Sequence, residues 1–215
     1  MKLFVWDYHG VIEQGNEISV WNVTNHILDS FGYDERLLED DVIRLYGKKW
    51  YEYFEHILPN ESHERHLELQ QAGCDYTQKN LTHIAKFIKP TPYVNDVIES
   101  IAKKHDQILI SNTDPESLIL FMKMVNIQNN FKPGTVFSSN GNTIDSKNSK
   151  SYALKKYLEN KTFEDIIIIG DSPSDMTLKE VSGGKTYLYT HPWMKHKECI
   201  SDYKISDLRE LLKEI

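Results

Sequence analysis

Four short segments of the chain carry side chains whose types and spacing suit charged-group chemistry. Val5-Trp6-Asp7-Tyr8-His9-Gly10-Val11 sets a carboxylate at the end of an apolar run, with a glycine three residues on. Leu109-Ile110-Ser111-Asn112-Thr113 ends an apolar run in a hydroxyl and an amide. Ser149-Lys150-Ser151-Tyr152-Ala153-Leu154 places a lysine at a helix start, and Ile168-Ile169-Gly170-Asp171-Ser172-Pro173-Ser174-Asp175 ends a run in GDSxxD. Carboxylates that converge on one crevice repel each other unless a cation sits among them. A few hard oxygen ligands suit Mg²⁺, with water and substrate phosphate completing its shell. A carboxylate on a rigid strand end can also attack phosphorus, giving an aspartyl-phosphate. Ser111, nearby backbone N–H groups and Lys150 would then hold the phosphoryl oxygens. Asn112 either joins them or supports the backbone locally. Lys147 competes with Lys150 for the lysine's place, and the spacing to Ala153-Leu154 favours Lys150.

These groups meet only if the chain brings the ends of its apolar runs together. Leu3 to Trp6, Ile108 to Ile110, Ile166 to Ile169 and Thr186 to Tyr189 are continuous apolar or β-branched runs closed by small or polar residues. Such runs fit strands buried on both faces of a parallel sheet. Between them, Tyr93 to Lys103 places Val94, Val97, Ile98 and Ile101 on one helical stripe, and Tyr152 to Leu158 has the same periodicity. Alternating strands and helices predict a doubly wound, Rossmann-like α/β sheet, whose functional loops lie at the carboxyl ends of the strands. The stretch 16–89 differs. Helical stripes at Val20 to Phe31, Glu35 to Tyr46 and Trp50 to Leu58 stop at Gly32, at Gly47 and before Pro59, and Pro90 and Pro92 mark the return to alternation. The expected organisation is an α/β core of residues 1–15 and 90–215, with an inserted all-helical cap of residues 16–89.

Composition narrows the partners. A net charge of -7 over 215 residues excludes a general affinity for nucleic acid or anionic membrane, because counterion release needs surplus Lys and Arg. No apolar stretch approaches membrane-spanning length. Cys74 and Cys199 stand far apart without CxxC spacing, as in a reduced intracellular chain, and are read as structural. The expected location is the cytoplasm. His56, His63 and His66 have neither HExxH nor paired i, i+4 spacing and are read as surface helix residues.

In their order, the four segments resemble the haloacid dehalogenase (HAD) superfamily, and the resemblance covers nearly the whole chain. It implies Asp7 as nucleophile, Ser111 as phosphate-binding hydroxyl, Lys150 as the site lysine, and Asp171 with Asp175 as the acidic metal pair. It further implies the backbone carbonyl of His9 as a metal ligand and residues 16–89 as a helical C1-type cap. The loop of such caps reaches over the active site, so Lys48 or Lys49 would touch substrate or remain solvated. The activity implied is Mg²⁺-dependent hydrolysis of a small phosphorylated metabolite. One position departs: phosphatases of this kind read DxDG, the second Asp being the general acid/base, and here Asp7-Tyr8-His9-Gly10 stands instead. An imidazole has both protonation states accessible at neutral pH and can take that role, or His9 fills space and water protonates the leaving group. The departure also admits a weak or inactive protein that binds a phosphorylated ligand or a protein partner. Metal-independent dehalogenases also lack the second Asp, but the intact GDSPSD segment argues for phosphoryl chemistry.

Overall fold

All four apolar runs form strands in the computed structural model, which describes residues 1–138, 149–191 and 199–215. They are β1 (Leu3–Trp6), β4 (Asp106–Ser111), β6 (Ile166–Gly170) and β7 (Lys185–Tyr189). Two short strands, β5 (Val136–Ser138) and β8 (Tyr203–Ile205), complete a six-stranded sheet of order β5-β4-β1-β6-β7-β8, parallel at every pairing. Side chains alternate across it. Phe4 and Trp6 of β1 pack on one face with Val94, Val97, Ile98 and Ile101 of α6 (Val94–Ala102) and with Leu118 and Phe121 of α7 (Pro115–Met124). Leu3 and Val5 pack on the other face with Leu154 of α8 (Lys150–Leu158) and with Leu178. Each fully buried Ile or Val of these faces contributes about 1.5–3 kcal/mol. Burial on both faces is why the strands read as continuous apolar runs.

Five helices lie between β2 (Glu13–Gln14) and β3 (Lys89–Pro90), which pair antiparallel where the chain leaves and rejoins the sheet. They are α1 (Asn16–Ser30), α2 (Glu39–Leu45), α3 (Trp50–Ile57), α4 (His63–Lys79) and α5 (Leu81–Ile84). Helix α2 is shorter than the stripe from Glu35 predicts. The backbone of Leu37 is bonded to α1 side chains instead, accepting from Trp21 Nε1 and Asn25 Nδ2 and donating to Asn25 Oδ1. His66 corrects the surface reading of the three histidines. It is buried on the inner face of α4 with Leu69 and Gln70, and its Nε2 donates to the Leu58 carbonyl at 2.9 Å. His56 and His63 remain partly exposed. Both cysteines are buried and unpaired. After β6 come α9 (Pro173–Met176) and α10 (Lys179–Ser182), and a 3₁₀ helix, Leu208–Glu214, follows β8. Among the described residues, no helix is long and apolar enough to cross a membrane.

Candidate active site

Parallel register brings the sequence-separated segments together. Trp6 pairs with both Leu109 and Ile169, so Asp7, Ser111 and Asp171 emerge side by side at the carboxyl end of the sheet. Asp7 continues the ladder through its N–H to the Ile169 carbonyl (2.9 Å), which fixes its backbone, and its Oδ1 accepts from the Tyr8 N–H at 2.7 Å. Helix α8 begins at Lys150, with Ser149 Oγ capping it through the Tyr152 N–H. Packing of Leu154 under the sheet aims that first residue at the strand ends. Lys150 Nζ lies 2.7 Å from Asp7 Oδ1 and 2.7 Å from Asp175 Oδ1, and the lysine is buried. Lys147 lies outside the described residues.

Asp175 sits in the first turn of α9, where Pro173 starts the helix. Its Oδ2 accepts from the N–H (3.1 Å) and the Oγ (2.5 Å) of Ser172. With Lys150 on its other oxygen, Asp175 is held from both sides. Asp171 is different: among the described residues no cation pairs with it directly, its carboxylate is bonded by Tyr46, and its Oδ2 lies 3.4 Å from His191 Nε2. Carboxylate oxygens of Asp7, Asp171 and Asp175 lie within 4.8 Å of one another. Burial, then the charge of Asp175, pushes the Asp7 carboxyl up to about 7, although Lys150 opposes the shift. Burial and Asp175 likewise raise Asp171 well above the usual carboxylate range. Burial alone would lower the Lys150 ammonium, but Asp175 and Asp7 outweigh it and hold it charged. Three carboxylates face one ammonium here, so the donor set fits a divalent cation.

One cavity is lined by Asp7, His9, Ser111, Asn112, Lys150 and Asp171, and Lys48 and Lys49 border it from the α2–α3 loop. Ser111 Oγ donates to Thr113 Oγ1 (2.9 Å) and accepts from the Thr113 N–H (3.2 Å), which orders the strand end. Lys48 pairs with Glu52 at 3.6 Å, and the Lys49 N–H donates to Glu52. Two glycines permit the close approaches. Gly10, at φ 77°, sits where a Cβ would meet Asp171 Oδ2 at 1.9 Å and Tyr46 Oη at 2.2 Å. Gly47, at φ 81°, brings the loop against Ser172, where a Cβ would stand 2.8 Å from the Ser172 Cβ. Both take a left-handed backbone that favours glycine.

Three neighbours escaped the sequence reading. Glu13, fully buried, lies 2.5 Å from His9 Nδ1. The i, i+4 spacing of His9 and Glu13 was a visible signal, though outside a helix it has no fixed geometry. Tyr46, beside Asp171, precedes a helix-stop glycine and gave no other signal. His191 follows β7, the neighbour of β6 in the sheet, by two residues, where no acidic motif marks it.

Comparison with known proteins agrees with this architecture. A model of the haloacid dehalogenase-like hydrolase family matches residues 5–187. Solved structures with the same fold include a haloacid dehalogenase-like family hydrolase from Streptococcus pneumoniae, 16% identical with a TM-score of 0.78, the match covering 99% of this chain and 97% of that one. They also include a predicted phosphatase from Clostridium acetobutylicum, 14% identical with a TM-score of 0.77, covering 99% and 97%. No curated protein matches the chain. The chain belongs to the haloacid dehalogenase-like hydrolase family.

Proposed function

We propose that this hydrolase is a Mg²⁺-dependent phosphohydrolase that acts on a small phosphorylated metabolite through an aspartyl-phosphate on Asp7. The observation that carries the reading is the single ammonium of Lys150 bridging Asp7 and Asp175 beside Asp171, so that three buried carboxylates share one cation. Such a site demands further positive charge, and a phosphate with a divalent cation supplies a ligand and its counter-charge together. Asp7, Asp171 and the His9 carbonyl would hold the ion, with Asp175 alongside. Bound there, Mg²⁺ would neutralise the phosphoryl oxygens and keep Asp7 ionised.

Asp7 attacks phosphorus in line, and the bond from phosphorus to the ester oxygen breaks. His9 donates its proton to the departing alkoxide, then takes one from the water that hydrolyses the aspartyl-phosphate. Lys150 and Ser111 balance charge on the phosphoryl oxygens, with Asn112 beside them. Residues 16–89 act as a cap over the core of residues 1–15 and 90–215. Lys48 and Lys49 contact substrate from that cap, and its movement excludes water. A second reading rests on His9 standing where related phosphatases carry Asp: a slow or inactive protein that binds a phosphorylated ligand or a protein partner.

Hydrolysis of an aryl phosphate with and without Mg²⁺, by the native protein, Asp7→Asn and His9→Asp, separates the two. The enzyme reading expects Mg²⁺-dependent turnover that Asp7→Asn abolishes. No turnover of any ester by the native chain, with turnover gained in His9→Asp, would favour the binder.

A further inference from the structure

We propose that Glu55, His63 and His66, on the helices between β2 and β3, form a binding site for a first-row transition-metal cation of the Zn²⁺ class. Glu55 lies in the last turn of α3, while His63 opens α4 and His66 follows one turn later. Spacing of i, i+3 puts both imidazoles on one face of α4, facing back across the turn toward α3. One donor atom from each of the three residues lies within 4.8 Å of the other two. His63 Nδ1 is 2.9 Å from Glu55 Oε1, and His66 Nδ1 is 4.0 Å from the same oxygen.

The tautomer of His66 points to a cation. Its Nε2 lies 2.9 Å from the Leu58 carbonyl, which can only accept, so Nε2 carries a proton. In the neutral ring Nδ1 is then a lone pair. It is buried without a hydrogen-bond partner on a side chain 5% exposed, and it faces a carboxylate. A buried lone pair facing a carboxylate oxygen is favoured by a positive charge between them. The bond from Nε2 to a backbone carbonyl is also the outer-shell arrangement that orients a metal-bound histidine. The Tyr51 ring stands edge-on to His63 at 5.1 Å, which holds its imidazole against Glu55.

Two imidazole nitrogens and one carboxylate oxygen select Zn²⁺-class ions over Mg²⁺. Donors around tetrahedral zinc stand ~3.3 Å apart, given bonds of ~2.0 Å. The observed separations of 2.9 and 4.0 Å bracket that value. Glu55 and His63 are partly exposed, which leaves water a fourth position. The ion would pin the end of α3 to the start of α4, away from the three aspartates at the strand ends.

The test is calorimetric titration of the chelator-treated protein with Zn²⁺ in excess Mg²⁺, followed by Co²⁺ titration read in the visible spectrum. Native protein and Asp171→Asn should each bind an ion with tetrahedral-type cobalt bands. Glu55→Gln and His63→Asn, at partly exposed positions that tolerate substitution, should bind more weakly by well over the roughly tenfold that losing an outer-shell partner costs. His66→Asn should abolish the bands. Absence of Zn²⁺ binding by the native chain overturns the proposal. So does binding that survives in Glu55→Gln and His63→Asn but disappears in Asp171→Asn, which would place the ion among the aspartates.

Discussion

His9 Nδ1 stands 2.5 Å from Oε1 of Glu13, a carboxylate with no solvent exposure. The turn that joins them runs through Gly10, and the Gly10 N–H donates to the Glu13 carbonyl at 2.9 Å. Phe121 and Tyr8 present their rings at 5.3 and 5.0 Å from the His9 ring, so the imidazole is held from several sides. A carboxylate accepting from Nδ1–H fixes the tautomer and leaves Nε2 to exchange protons. His9 is thus built as an oriented group rather than a loose filler.

The expected consequence is a dependence on leaving group. His9→Ala should slow alkyl phosphate hydrolysis by roughly 10²–10⁴-fold, the range of positioned acid/base catalysis, and change aryl phosphate hydrolysis far less. Glu13→Gln should show the same leaving-group pattern at smaller size. Steady-state rates on a matched ester pair check this. Equal losses on both esters in His9→Ala would assign His9 to packing.

Lys150 is expected to be a stability residue as well as a site residue. Lys150→Met leaves Asp7 and Asp175 buried without their shared cation, and breaking a buried pair in this way costs about 3–5 kcal/mol. Denaturant unfolding at pH 7.5 in chelator should register that loss. At pH 5 the loss should shrink, because Asp7, raised to about 7 by burial and Asp175, holds a proton there. An equal loss at both pH values would mean that packing of the lysine stem dominates.

Without metal, the aspartates should make the chain less stable as pH rises. The folded Asp7 carboxyl lies near 7 against an ordinary value of 3.8, so between those limits the folded state binds a proton that the unfolded chain releases. Stability is therefore greatest below the lower limit and falls as pH passes through the upper one. Asp171, raised by burial and Asp175, acts in the same direction. Mg²⁺ binds the ionised form, so its stabilising effect should grow over the same interval. Melting temperatures in chelator and in Mg²⁺, from pH 5 to 8, give both curves, and a Mg²⁺ effect that is flat with pH would count against the aspartates as its site.

Strands buried on both faces were legible because nothing polar interrupts Leu3 to Trp6 or Ile166 to Ile169. Once those pair in parallel, Asp7 and Asp171 must meet. The edge strands were not legible, since Tyr203 and Lys204 of β8 are exposed and Val136 to Ser138 is only half-buried. The partners of the site escaped for a different reason. Glu13 reaches His9 through a turn whose shape depends on Gly10, and Tyr46 arrives from a helix that packs only in three dimensions. Periodicity reports which face is buried, not which polar group finds a partner there, and His66 was misplaced on that account.

Gly47→Ala should impair substrate binding more than chemistry. An L side chain at φ 81° costs roughly 1–2 kcal/mol, and its Cβ would press on Ser172, 2.8 Å away. The loop must shift, carrying Lys48 and Lys49 with it, while Asp7 at the end of β1 and Lys150 at the start of α8 stay in place. A rise in KM with nearly constant kcat is expected for a small phosphorylated substrate. A fall in kcat alone would show that the loop serves the reacting groups instead.

Far from the cavity, Glu214 should govern acid stability. Burial alone would raise its carboxyl, but bonds from Tyr187 Oη (2.6 Å) and Lys2 Nζ (3.0 Å), with Lys185 at 3.5 Å, bring it down to about 2 from 4.5. For a depressed carboxyl the stabilisation is complete above the unfolded value and is lost as pH falls through the folded one. The interaction ties the C-terminal 3₁₀ turn to β7 and to the chain start. Glu214→Gln should therefore be less stable than the native chain at pH 7, and the difference should narrow as the pH is lowered from 4.5 toward 2. Denaturant unfolding across that range tests it, and a difference independent of pH would trace the loss to the neutral hydrogen bond with Tyr187.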